Sequence, residues 1–136
     1  MNKEAGIKQN LEKIDTQIDE VKRFLDEDKL DEALYFTWFA AENLVNTLKV
    51  SINGYYLKDH KAKYGILKDY FALGTLKKDY SETFKKLSKY RLVAEFHPYT
   101  SIPKDYTRED VLEFLHETQE LKKEVLKFLT EKGVLK

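Results

Sequence analysis

The sequence predicts an all-α protein, an up-and-down four-helix bundle with one additional short helix, in a single domain over residues 1–136. Three observations predict it. Only five glycines and two prolines interrupt the 136 residues. No stretch alternates with period two for long, so a half-buried strand has no pattern to form on. Apolar residues instead recur at spacings of three and four along most of the chain, the signature of helices with one buried face.

Each element can be justified in turn. Ile7, Leu11, Ile14, Ile18, Val21 and Leu25 are spaced 4, 3, 4, 3 and 4, an apolar seam on a long first helix with charged flanks. Asp26, Glu27 and Asp28 then form a short acidic turn. The second segment, LDEALYFTWFAAENLVNTLKVSI, is apolar around much of its circumference. Leu34, Trp38, Ala41, Leu44, Val45, Leu48 and Ile52 share one broad face, and Ala33, Ala40 and Ala41 permit close helix approach. Such a helix belongs at the centre of a bundle or in a subunit interface. Asn53-Gly54 ends it, because glycine takes the left-handed conformation that closes a helix.

A short third helix carries Tyr64, Leu67, Tyr70 and Phe71 and stops before Gly74. The fourth is expected from about Thr75 to Phe96, with Leu76, Tyr80, Phe84, Leu87 and Ala94 inward. Pro98 disfavours a helical His97, which ends the helix there. The loop PYTSIPKDYT follows. Thr107 with Asp110 three residues on, before an apolar run, reads as a capping box. Val111, Phe114, Leu115, Thr118, Leu121, Val125 and Phe128 carry the closing helix to Gly133.

Composition excludes several kinds of chemistry. The absence of cysteine removes disulfides, thiol catalysis, thiolate zinc sites and iron–sulfur clusters. The opening MNKEAGIKQN lacks the apolar core of a signal peptide. No apolar run reaches the roughly 18 residues of a membrane span. A cytoplasmic protein without membrane contact is the expectation. Phosphate-binding glycine loops and nucleophile elbows are missing. Glu113 and His116 provide half of a Glu-x-x-His metal site, but no second copy exists, so neither a metal nor a cofactor is expected.

The formal charge is zero, yet residues 58–91 hold ten basic and four acidic side chains while both flanks are acidic. Lys85, Lys86 and Lys89 lie within this basic middle, which suits a polyanion or, more blandly, a solvated helix face. The candidate chemistry follows directly in KYRLVAEFHPYTS, residues 89–101. Taken singly, Arg91 suits an ion pair with Glu95, His97 suits a helix C-terminus, and Tyr99 suits a packed loop. Taken together, a phosphate-binding arginine and a histidine titrating near neutrality are the minimum set for metal-free RNA cleavage. The histidine relays a proton and the arginine stabilises charge growing on phosphorus. Six residues turn Arg91 and His97 about 120° apart on a continuous helix. Either His97 leaves the helical path at Pro98 or a two-fold dimer brings two such pairs into one cleft.

At these residues the sequence resembles the HEPN family of small helical bundles. The family signature is an arginine, four to six residues, then a histidine, matched by Arg91, LVAEF and His97. Members paired with a minimal nucleotidyltransferase often extend it to His-x-Tyr, matched by His97-Pro98-Tyr99. ALYFTWFAAENLVNTLKVSINGYY looks like the family's second helix and YTREDVLEFLHETQELKKEVLKFL like its closing helix. The resemblance implies a homodimer with Arg91 and His97 as a ribonuclease pair. It also implies that Tyr99 is the hydroxyl on which a partner nucleotidyltransferase places AMP, in a toxin–antitoxin pair. Lys85, Lys86 and Lys89 would draw RNA in. Active ribonucleases of the family usually carry a polar residue after the arginine, and here it is Leu92. A non-catalytic nucleotide- or substrate-binding subunit of a nucleotidyltransferase is therefore the alternative, and a helical adaptor in which Arg91 and Glu95 merely pair is a third.

Overall fold

The computed structural model describes residues 3–53, 60–96 and 106–134. They form five helices, α1 (Lys3–Asp26), α2 (Leu30–Asn53), α3 (His60–Ala72), α4 (Ser81–Phe96) and α5 (Arg108–Glu131). No strand occurs among the described residues. The chain is all-α and bundle-like, as its periodicity predicts.

The apolar circumference of α2 has its explanation in position: α2 packs against each of the other four helices. Leu34, Trp38, Ala41, Leu44, Val45 and Leu48 are all buried, and Ala33 and Ala40 are fully enclosed. Burying a large apolar side chain stabilises by roughly 1.5–3 kcal/mol, so this helix organises much of the core. Its buried threonines need no outside partner, because Thr37 donates to the Ala33 carbonyl and Thr47 to the Asn43 carbonyl. Ile52, expected on the same buried face, is instead 38 % exposed on the last turn of the helix.

On α1 the seam is buried at Ile7, Ile14, Ile18, Val21 and Leu25, with Leu11 half-buried. The turn after it is closed by Asp28, which adopts φ 58°. The Lys29 N–H returns to the Phe24 carbonyl and the Asp28 N–H to that of Leu25, a Schellman closure with aspartate in the glycine position. Gly74 closes α3 the same way, at φ 81°, and Gly133 closes α5 at φ 74°. Gly54, the expected stop for α2, lies outside the described residues.

The fourth helix begins at Ser81, six residues later than its spacing suggests. Residues 73–80 form a non-helical connector in which Leu76 and Tyr80 are nonetheless buried. The Asp79 carboxylate accepts the Ser81 N–H at 2.9 Å, competing with any further helical turn, and hydrogen bonds from the Ser81 side chain first and its N–H second hold the Asp79 pKa below the usual range. The expected capping box is present: the Thr107 hydroxyl accepts the Asp110 N–H and the Asp110 carboxylate accepts the Thr107 N–H.

Candidate functional site

The C-terminal half of α4 carries the arginine on which the sequence reading turns. Phe84 and Leu87 point into the core from this helix. Arg91 lies four residues beyond Leu87 and thus about 40° from it around the axis, on the same inward side. Its guanidinium sits over the ring of Trp38 on α2, 5.6 Å from the centroid. Trp38 is only 2 % exposed, and the Arg91 Nε is shielded from solvent. The α2 face that carries Trp38 continues through half-buried Glu42 to Lys49, which is 8 % exposed.

The three lysines are elsewhere. Lys85, Lys86 and Lys89 are exposed, with the Lys86 ammonium 5.6 Å from the Tyr90 ring centroid. At 100° per residue, Lys89 is about 160° from Arg91, Lys86 about 140° and Lys85 about 120°. The lysines form an outer ridge with exposed Leu92, while Arg91 faces α2. Within one chain the structure does not bring them together around a single phosphate. His97 and Tyr99 lie outside the described residues, as does the Glu95 side chain.

A second concentration of ionisable groups joins α5 to the connector. Glu117 is buried, its Oε1 taken by the Lys78 ammonium and its Oε2 without a hydrogen-bond partner. The Glu117 hydrogen bond is the main influence raising the Lys78 pKa. Glu124 accepts both the Lys77 N–H, at 2.6 Å, and the Tyr80 hydroxyl, at 2.5 Å. Tyr106, also buried, donates to Asp31 across the start of α2. Burial first, and the adjoining carboxylate second, push both tyrosine pKa values well up. Apart from Glu117 Oε2, these groups have their counterparts within the fold, and the contacts of Lys77, Lys78 and Tyr80 fasten the connector to α5.

A groove of about 570 Å³ runs between α1 and α5, with Ile18 and Leu126 among charged neighbours. Lys122 and Asp15 pair across it. His116 turns to Glu120, at 2.5 Å, rather than to the Glu113 of the half-motif. No group of three or more potential metal ligands is clustered among the described residues. None of their helices is long and apolar enough to cross a membrane.

Sequence reasoning missed Trp38 beneath Arg91, because that contact joins residues 53 positions apart and leaves no local pattern. The chain's one tryptophan, set in its most apolar helix, was the available signal. No family model, curated protein or solved structure matches the chain.

Proposed function

We propose that this protein is a HEPN-type four-helix bundle that acts as a homodimer beside a minimal nucleotidyltransferase, as the metal-independent RNA-cleaving toxin of a toxin–antitoxin pair. Arg91 stabilises the charge that grows on phosphorus as a 2′-hydroxyl attacks. His97 relays the proton of that hydroxyl or of the leaving oxygen. Tyr99 takes the silencing AMP, and Lys85, Lys86 and Lys89 attract the RNA backbone. The observation that carries the reading is Arg91 itself: near the end of α4, six residues before His97, its guanidinium is seated on an aromatic ring. A seated guanidinium is a better phosphate ligand than one on a freely rotating chain, because less freedom is lost on binding.

One observation favours a second reading, the non-catalytic binding subunit of a nucleotidyltransferase. Arg91 faces α2 while the lysine ridge faces outward, and the residue after Arg91 is an exposed leucine, 49 % accessible. An arginine set apart from the basic ridge suits one bound nucleotide better than a tracked RNA strand.

Purified wild-type, Arg91→Ala and His97→Ala protein incubated with labelled tRNA and mRNA in EDTA separates the two. The nuclease cleaves and both variants do not, and only the wild type arrests growth when expressed alone. Intact RNA in every lane, with a nucleotidyltransferase recovered in pull-down, establishes the binding subunit instead.

A further inference from the structure

We infer that a groove between the C-terminal half of α5 and the connector of residues 73–80 binds a small polyphosphate anion, inorganic or as the phosphate chain of a nucleotide. Its volume is about 340 Å³, within the size range of small-ligand sites. Its walls carry Lys77 from the connector and Lys123 and Lys127 from α5. Lys123 and Lys127 stand four residues apart, about one turn along the same side of the helix. All three lysines are exposed. The inference is independent of the role proposed for Arg91.

These lysines differ from their neighbours in lacking an acid opposite them. Lys78, next on the connector, is taken by Glu117, and Lys122, next on α5, by Asp15. Among the described residues neither the Lys77 nor the Lys123 ammonium has an ion pair, and Lys127 reaches only exposed Glu131, at 4.0 Å. The other acid of the groove, Glu124, is already engaged by the Lys77 N–H at 2.6 Å and the Tyr80 hydroxyl at 2.5 Å. Positive charge is therefore in excess over a short distance. A single carboxylate offers too little charge to answer three ammonium groups, whereas adjoining phosphates supply acceptor oxygens for each.

The groove is shaped by the fold itself. Gly74, at φ 81°, turns the chain out of α3, and the Thr75 N–H returns to the Tyr70 carbonyl at 2.9 Å. The Lys77 N–H bond to Glu124 then fixes that lysine's backbone beside α5. The ordering cost of binding is thus confined to the lysine side chains. Half-buried Phe128 lines the same groove and offers an apolar surface to a nucleotide's base. The Lys132 ammonium, 5.8 Å from the Phe128 ring centroid, adds a further cation beside it.

The test is titration of the full chain with sodium tripolyphosphate, in metal-free buffer of constant ionic strength, followed by amide nuclear magnetic resonance and calorimetry. The amides of Gly74, Thr75, Lys77, Lys123 and Lys127 should shift together. Lys123→Gln and Lys127→Gln, both at exposed positions, should each weaken binding roughly two- to fivefold, and together roughly tenfold. Lys13→Gln, at an exposed position on α1, should leave binding unchanged. ATP titrated in parallel identifies the source of the anion. Affinity no tighter than that of tripolyphosphate marks an inorganic phosphate chain, and tighter affinity marks a nucleotide whose base reaches Phe128.

No amide shift at about 5 mM tripolyphosphate would overturn the inference. So would a loss in the double lysine variant no larger than in Lys13→Gln, or shifts centred on Arg91 and Trp38 instead of the groove. Groove amides that respond to a single-stranded RNA oligonucleotide but not to tripolyphosphate would overturn it too, marking the lysines as part of an RNA track.

Discussion

The attachment of the connector to α5 offers a sharp test, because it rests on one carboxylate. Glu124 accepts the Lys77 N–H and the Tyr80 hydroxyl, and Tyr80 is 1 % exposed. In Glu124→Ala the phenol keeps its burial and loses its acceptor. A stranded buried donor costs about 1–3 kcal/mol, and the exposed Lys77 bond adds about 0.5–1.5 kcal/mol. The expected loss is therefore about 2–4 kcal/mol, which for a chain of this length lowers Tm by roughly 6–15 °C. Urea denaturation at pH 7, with calorimetry alongside, measures both. The cause is isolated by adding Tyr80→Phe, which removes the stranded hydroxyl while retaining the ring. That change should destabilise the wild type yet be neutral or stabilising beside Glu124→Ala, with a coupling of at least about 1 kcal/mol. A loss below about 0.5 kcal/mol for Glu124→Ala, or an equal effect of Tyr80→Phe in both backgrounds, would refute the reasoning.

Four further outcomes are expected. Tyr80 and Tyr106 hold their protons to higher pH when folded than when unfolded. Stability is thus retained below about pH 10 and falls above it, by about 1.4 kcal/mol per pH unit for each tyrosine; alkaline urea titrations should show the slope, and Tyr106→Phe should halve it. Lys78→Met leaves the Glu117 carboxylate buried without its cation and should cost about 1–3 kcal/mol, read by urea denaturation at pH 7. Asp28, at φ 58°, should tolerate glycine with a gain of up to about 1 kcal/mol, whereas valine there should cost about 1–2 kcal/mol in chemical denaturation. Thr107→Ala removes the cap of α5 and should cost about 1 kcal/mol, read as a lower urea midpoint with unchanged slope.

The helices were legible because burial of one face forces a spacing, as in Ile7 to Leu25 or Val111 to Val125. The α5 cap was legible because Thr107 and Asp110 satisfy each other locally. The start of α4 was not: Leu76 and Tyr80 keep helical spacing to Phe84 although they lie on a connector. Spacing records which residues are buried, and a buried connector next to a helix imitates another turn; the Asp79 bond to the Ser81 N–H was the clue to the boundary. Nor did Asp28 announce itself, since the left-handed position is usually glycine. At the candidate site, the divergence of Arg91 from the lysine ridge follows from helical angles alone. Its seat on Trp38 does not, because which helix lies beside α4 is a tertiary fact.

The central place of α2 bears on how the protein is made. Synthesis completes α1 and α2 first, and three residues separate them, so they can pair as soon as both have emerged. That pair is only half a shelter. The sides of α2 that receive α4 and α5 stay uncovered until residues 81–131 exist. A ribosome stalled before Ser81 would thus present Trp38 and its apolar neighbours to the cell, where such surface invites chaperones or aggregation. Because α4 and α5 both pack on α2, a fragment that lacks α2 loses the surface on which the described core is built.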